Sequence, residues 1–113
     1  MIIRKATVED APAIHAMVVA LAEETGKRRA VTSVVGDLGR EGFGAAPAFE
    51  GLIAVDGEET VGLALYFPEF STWRGRRGVY IQDVFVAKSA RGRGLGRRRV
   101  AGVAAHAARD GAV

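Results

Sequence analysis

The sequence predicts one domain of the mixed α/β class, with elements in the order β-α-α-β-β-β-α. Its 113 residues, 49% of them hydrophobic, suffice for one buried core, so residues 1–113 are expected to fold as a single unit. The hydrophobic pattern has a helical period in the first forty residues, an extended one in the middle and a helical one near the end. Consecutive short strands in the middle favour antiparallel neighbours.

The first strand and the first helix are predicted at the N-terminus. Residues 2–5 form a short strand. Thr7 is a typical N-cap residue, and Asp10 stands where a capping box has its acid, which predicts a helix over residues 8–24. Gly26 ends this helix. One helix face carries the apolar residues Ile14, Val18, Leu21 and Ala22.

A second, shorter helix is predicted over residues 33–40. Thr32 and Ser33 can cap its start, and Gly39 and Gly42 mark its end. The two helices together would cover one face of the sheet that follows.

Three strands are predicted in the middle of the chain. Residues 52–55 and 61–67 form a hairpin, because an Asp-Gly pair between them supplies a tight turn. Residues 68–78, which contain three arginines, are predicted as a loop. Residues 79–86 form the third strand, and a helical stretch near the C-terminus ends close to residue 110.

The charge is unevenly distributed along the chain. The net charge is +3, but residues 1–73 carry six basic residues against eleven acidic ones, and residues 74–113 carry ten against two. The basic part indicates a polyanionic partner, which could be nucleic acid, an acidic lipid surface or a phosphate-bearing cofactor. A solvated basic helix face is the alternative.

Composition excludes several kinds of site. The absence of cysteine excludes a disulfide scaffold, a thiolate zinc site and a cysteine nucleophile. Two histidines far apart in sequence are too few for a metal cluster, so no metal is expected. No apolar run approaches the roughly 20 residues that span a bilayer, and no signal peptide is recognisable, so we expect a cytoplasmic protein with no membrane partner.

The strongest local signal is a glycine-rich loop after the third strand. Gly92, Gly94 and Gly96 alternate, so successive backbone N–H groups can converge on an anion at a helix N-terminus. The spacing fits neither a dinucleotide fingerprint nor a P-loop. It favours a pyrophosphate cradle, with a glycine-rich structural turn as the alternative. No aromatic residues are interleaved with the arginines here, so no nucleic-acid partner is expected.

Several motifs, in the same order along the chain, resemble one family. The loop resembles the acetyl-CoA loop of the GNAT N-acetyltransferases, [Q/R]-x-x-G-x-[G/A], with Arg91, Gly94 and Gly96 at the defining positions. Over about residues 3–111 the chain resembles the diamine (spermidine/spermine-type) branch of that superfamily. The other matching motifs are Asp37-Leu38, Gly42-Phe43-Gly44, Pro47, Val61-Gly62, Ala64-Leu65-Tyr66-Phe67, Trp73-x-Gly75, Ile81-x-Asp83 and Phe85-Val86.

This resemblance implies a GNAT-like acetyl-CoA-binding fold that is truncated after the helix of the pyrophosphate loop. It also implies acetyl-CoA as co-substrate, with no metal. Backbone amides at the end of the third strand would pair with the pantetheine arm, and those of the loop would bind the pyrophosphate. The matching cofactor-binding positions are Val84, Phe85, Val86, Arg91, Gly92, Arg93, Gly94, Leu95, Gly96 and Arg97.

The resemblance further implies acetyl transfer to a primary amine of a small molecule, either polyamine-like or amino-acid-like. An aliphatic ammonium has a pKa of about 10.4 and must lose a proton before it attacks a thioester. Asp83 matches one carboxylate of the family's pair and is the candidate base, with a satisfied buried acid as the alternative. The positions matching acceptor contacts are Gln82, Glu24 and Trp73. The basic run at residues 27–29 would repel a polyamine.

Two departures from the family pattern lead to further expectations. The family's tyrosine that protonates the leaving thiolate has no match, since Tyr66 and Tyr80 are predicted to be packed aromatics. A catalytically impaired CoA-binding remnant, or a truncated form without turnover, is therefore the alternative function. With the chain ending at residue 113, the strand over residues 79–86 would also keep one bare edge. The last helix would then expose Val100, Val103 and Ala107. A homodimer is expected on these grounds, with a monomer as the alternative.

Overall fold

A computed structural model describes residues 2–91 together with Gly96, Val100 and Gly102. Within these residues the chain is mixed α/β, and four strands form one antiparallel sheet in the order β1-β2-β3-β4. The strands are β1 (Ile2–Lys5), β2 (Glu50–Asp56), β3 (Glu59–Ser71) and β4 (Arg76–Val86). The helices are α1 (Ala11–Glu24), α2 (Val35–Gly42) and α3 (Lys88–Arg91). Short 3₁₀ turns occupy Val8–Asp10 and Arg28–Ala30. The predicted fold class is confirmed, as is the element order through β4. The predicted C-terminal helix lies outside the described residues except at Val100 and Gly102.

The start of the first helical segment is organised by Asp10, as predicted. Its carboxylate accepts the backbone N–H of Thr7 at 2.7 Å and two guanidinium N–H groups of Arg4 at 2.9 and 3.1 Å. The hydrogen bond from Arg4 is the main cause that lowers the pKa of Asp10. The carboxylate therefore joins β1 to the helix that follows it. At the other end, Gly26 adopts a φ of 72° and α1 stops, also as predicted.

The prediction that Thr32 and Ser33 cap the second helix is wrong. α2 begins at Val35, and the Asp37 carboxylate accepts the backbone N–H of Val34 at 2.9 Å. An acid in the first turn can satisfy an unpaired N–H group by itself, so the residue before the helix need not carry a polar side chain.

The predicted loop over residues 68–78 is wrong as well. β3 extends to Ser71 and β4 begins at Arg76, so these residues continue the hairpin and leave only a four-residue turn. Pro68 is paired opposite Val79 within the extension. Proline is tolerated there because β2 has already ended, and β3 needs hydrogen bonds on one edge alone.

The sheet separates two hydrophobic clusters. The face covered by α1 buries Ile14, Met17, Ile53, Leu63, Leu65 and Phe85. The opposite face buries Leu52, Ala54, Val61, Ala64, Tyr66, Val86, Ala90 and Val100.

The expectation that Val100 is exposed is wrong. It is fully buried against the second face of the sheet. Its N–H donates to the Gly96 carbonyl at 3.2 Å, the spacing of a helical hydrogen bond. Val103 and Ala107 lie outside the described residues. No helix in the described part of the chain is both long enough and apolar enough to cross a membrane.

Candidate active site

A β-bulge in β4 determines which way Asp83 points. Leu65 is paired with Asp83, but the next residue of β3 is paired with Ile81, so Gln82 is an extra residue in β4. Ile81 and Val84 therefore both contact the second face of the sheet. Asp83 lies between them in sequence and is turned toward α1 on the first face.

Asp83 lies at one wall of a cleft between β4, the end of α1 and the segment that follows it. The cleft has a volume of about 370 Å³. Its lining residues are Val18, Leu21, Ala22, Thr25, Lys27, Ala30, Val31 and Asp83. Apolar side chains make up most of this surface, with a carboxylate and an ammonium as its two charged groups.

The Asp83 carboxylate is half-buried, and burial raises its pKa. No hydrogen bond or ion pair joins it to another described residue. A carboxylate with a raised pKa and room beside it is chemically suited to accept a proton from a bound molecule. Gln82 is solvent-exposed, and its amide cannot serve as a base.

The C-terminal end of β4 combines buried side chains with an open backbone edge. Phe85 and Val86 are buried in the two clusters, and Val84 is half-buried. Ala87 donates its N–H to Val61 of β3 at 2.8 Å, so the alternation of a strand turns the N–H and the C=O of Val86 toward the other edge. Among the described residues β4 has no further neighbour strand on that edge.

Helix α3 is one short turn that the sequence analysis did not predict. Its four residues are too few to show a helical period, although Lys88, Ala90 and Arg91 are all favourable helix formers. Ala90 is buried and donates its N–H to the Ala87 carbonyl at 2.9 Å. This turn leads the chain from β4 into the predicted glycine loop.

Of the three glycines of the predicted loop, the structure describes Gly96. At Gly96, a Cβ atom would meet no described atom within 4 Å. The N–H of Val100 donates to the carbonyl of Gly96, which is the i to i−4 spacing of an α-helix. The other predicted loop residues, Gly92, Arg93, Gly94, Leu95 and Arg97, lie outside the described residues.

Arg91 and Glu24, both predicted site residues, contact each other. The guanidinium of Arg91 donates to the two carboxylate oxygens of Glu24 at 2.8 and 3.0 Å. Its Nε–H also donates to the Val86 carbonyl at 3.0 Å. One side chain thus joins the end of α1, the open edge of β4 and the start of the glycine loop.

Trp73, the last predicted acceptor contact, is 98% exposed in the turn of the β3–β4 hairpin. It is not among the lining residues of the cleft, and its predicted contact with the acceptor stays a prediction. No group of three or more histidine, aspartate or glutamate residues in the described ranges is arranged to hold a metal ion.

Comparisons with known proteins agree with this geometry. Residues 23–113 match the model of the acetyltransferase (GNAT) family. The chain is 34% identical over 101 residues to human spermidine/spermine N(1)-acetyltransferase-like protein 1, covering 83% of this chain and 14% of that protein. It is also 34% identical over 110 residues to mouse thialysine N-epsilon-acetyltransferase, covering 90% and 64%. The chain therefore spans less than two thirds of these relatives.

Solved structures show the same fold. The crystal structure of ribosomal-protein-alanine N-acetyltransferase from Brucella melitensis biovar Abortus superposes with a TM-score of 0.74 at 17% identity, over 97% of this chain and 73% of that one. An aminoglycoside acetyltransferase from a soil metagenome, crystallised with sisomicin, gives a TM-score of 0.70 at 14% identity, over 91% and 66%.

Proposed function

Because the chain belongs to the GNAT acetyltransferase family, we propose that it transfers an acetyl group from acetyl-CoA to a primary amine of a small molecule. The observation that carries this proposal is the position of Asp83. Its half-buried carboxylate faces the cleft, one residue before the strand end where the family binds its co-substrate. The domain proposed to do this comprises residues 1–113.

The described residues fit acetyl-CoA as co-substrate. A Cβ atom at Gly96 would meet no described atom within 4 Å, and the N–H of Val86 points to the edge of β4 away from β3. When bound, acetyl-CoA supplies the activated acetyl thioester. Amides of Val84, Phe85 and Val86 would hold the pantetheine arm. The pyrophosphate would be held by the loop residues Arg91, Gly92, Arg93, Gly94, Leu95, Gly96 and Arg97.

Asp83 is the group proposed to prepare the acceptor. An aliphatic ammonium with a pKa of about 10.4 is protonated at neutral pH and has no lone pair for attack. Asp83 would attract it and accept its proton, directly or through water, and the raised pKa of this carboxyl makes it the stronger base. Gln82 would accept a hydrogen bond from the acceptor.

The curated relatives act, by their names, on spermidine or spermine and on thialysine. At 34% identity these names support a small amine acceptor of polyamine-like or amino-acid-like chemistry. We propose further that the protein is a homodimer, since β4 is the last strand of the described sheet and its first half is largely exposed.

A CoA-binding protein without turnover is the second candidate. The observation that favours it concerns the tyrosines of the described residues, neither of which lines the cleft. Tyr66 is buried on the other face of the sheet, where burial raises its pKa. Tyr80 packs on Phe67 with ring centroids 5.0 Å apart. No described tyrosine can therefore protonate a thiolate at Asp83.

Calorimetric binding of CoA and acetyl-CoA, with thiol release measured over a panel of amines, tests both candidates. Gly96→Val and Gly94→Val should each weaken CoA binding at least tenfold, since a side chain would occupy the pyrophosphate position. Gly78→Val is the matched control, because its Cβ also enters open space but lies within β4. Wild-type affinity in folded Gly96→Val would refute the cofactor assignment. CoA binding without acetylation of any amine would favour the second candidate.

A further inference from the structure

The mouth of the acceptor cleft is positively charged. Lys27, Arg28 and Arg29 begin three residues after the end of α1 and are all exposed. Of these, Lys27 lines the cleft. Its backbone is fixed, because its N–H donates to Ala22 at 2.7 Å and its carbonyl accepts the N–H of Ala30 at 2.9 Å. Its ammonium group has no hydrogen bond or ion pair with any described residue, so it is available to a bound molecule.

Of the two acids at the end of α1, Glu23 is exposed and does not line the cleft, and Glu24 is already engaged. Glu24 stands at the end of α1, close to this mouth in sequence, but both of its carboxylate oxygens accept hydrogen bonds from Arg91. Asp83 is the one acidic residue among those lining the cleft. Besides Asp83 and Lys27, the cleft is lined by Thr25, Ala30 and the apolar side chains of Val18, Leu21, Ala22 and Val31.

We infer that the acceptor is an amine that carries a carboxylate at the far end of an apolar spacer. Asp83 binds the ammonium end, the apolar wall contacts the spacer, and Lys27 binds the carboxylate. A diamine of the same length would place its second ammonium against Lys27, where two like charges repel each other. The acceptor class inferred here rests on the proposed acetyl transfer at this cleft.

Three acceptors of equal chain length test the inference: 5-aminopentanoate, pentylamine and 1,5-diaminopentane. They differ only in the distal group, which is an anion, a methyl group or a cation. Their binding is measured by calorimetry with and without CoA, and their acetylation by thiol release from acetyl-CoA. We expect 5-aminopentanoate to bind about tenfold more tightly than pentylamine, and 1,5-diaminopentane to bind most weakly.

The variant Lys27→Glu should reverse this order, so that 1,5-diaminopentane becomes the preferred ligand. Arg74→Glu makes the same change in net charge at the exposed turn of the β3–β4 hairpin and should preserve the wild-type order. Both variants alter exposed residues, so thermal unfolding should confirm that they fold.

Equal affinity for the three ligands, or a wild-type preference for 1,5-diaminopentane, would overturn the inference. So would an Arg74→Glu protein that behaves like Lys27→Glu, because net charge would then explain the effect. A carboxylate preference in calorimetry without acetylation of any ligand would support the acceptor class and refute the proposed transfer reaction. The two conclusions can therefore fail separately.

Discussion

The contact between Arg91 and Glu24 yields a prediction that bears on the cofactor loop. One guanidinium nitrogen of Arg91 contacts both oxygens of Glu24. The two side chains are 42% and 33% exposed, so the ion pair should stabilise the fold by at most about 1 kcal/mol. The hydrogen bond from Arg91 to Val86 adds about 1 kcal/mol. Arg91→Ala should therefore lower the free energy of unfolding by about 1–2 kcal/mol, and Glu24→Gln by about 0.5–1 kcal/mol.

Denaturant unfolding of the wild type, both single variants and the double variant measures the coupling between the two side chains. We expect a coupling of about 0.5–1 kcal/mol in low salt and a smaller one near 1 M salt, where the Debye length falls to about 3 Å. The contribution of the hydrogen bond to Val86 should persist in salt. Only Arg91→Ala removes it.

The same four proteins show how Arg91 acts on CoA. If its guanidinium serves to hold the start of the glycine loop, Glu24→Gln and Arg91→Ala should both weaken CoA binding, and the double variant should bind no more weakly than Arg91→Ala. If Arg91 instead contacts phosphate directly, only Arg91→Ala should weaken binding. A Glu24→Gln protein with wild-type or tighter CoA affinity would refute the positioning role.

Two further predictions concern Asp83 and the end of α2. Burial raises the pKa of Asp83 in the folded state, so the folded protein holds the proton of this carboxyl more tightly than the unfolded chain does. This favours the folded state at low pH, and the advantage is lost as the pH rises through the raised pKa. In denaturant unfolding, Asp83→Asn should be more stable than the wild type at pH 7 but not near pH 3.5. Because Asp83 is the proposed base, the same variant should lose about 10²–10⁴-fold in acetyl transfer. An Asp83→Asn protein whose stability equals that of the wild type at both pH values would contradict the burial effect. A Cβ at Gly42 would lie 2.8 and 2.9 Å from two ring carbons of Phe49, so Gly42→Ala should cost about 1–3 kcal/mol. Gly39→Ala, in the same helix with open space, should stabilise by about 0.5–1 kcal/mol in the same assay, and a similar effect of both substitutions would contradict this packing.

Local signals predicted most of the fold. Asp10 predicted the start of the first helical segment, and Gly26 predicted the end of α1, because each acts on groups a few residues away. The loop motif predicted the family, which the comparisons confirm. Local signals do not predict that the hairpin continues beyond Pro68, because proline and glycine usually mark turns. They are compatible with β3 and β4 here because β2 ends before Pro68.

The tertiary contacts of the site could not be predicted from local patterns. Arg91 and Glu24 are 67 positions apart, and the arginine was expected to face a phosphate. The burial of Val100 depends on how its helix packs on the sheet. The bulge at Gln82 leaves no distinct pattern in sequence, since the apolar residues before and after it would also suit an uninterrupted strand.

The bulge decides the face of the sheet on which Asp83 lies, because it adds one residue between Ile81 and Asp83. A strand with the same residues and no bulge would bring Asp83 into phase with Val79 and Ile81 on the other face. The carboxylate would then enter an apolar layer, and the cleft would lose its acid. Deleting Gln82 removes the extra residue itself, so Asp83 would still oppose Leu65 and face α1. Libraries that aim to change acceptor preference can therefore vary or omit the residue at this position while the carboxylate stays in the cleft.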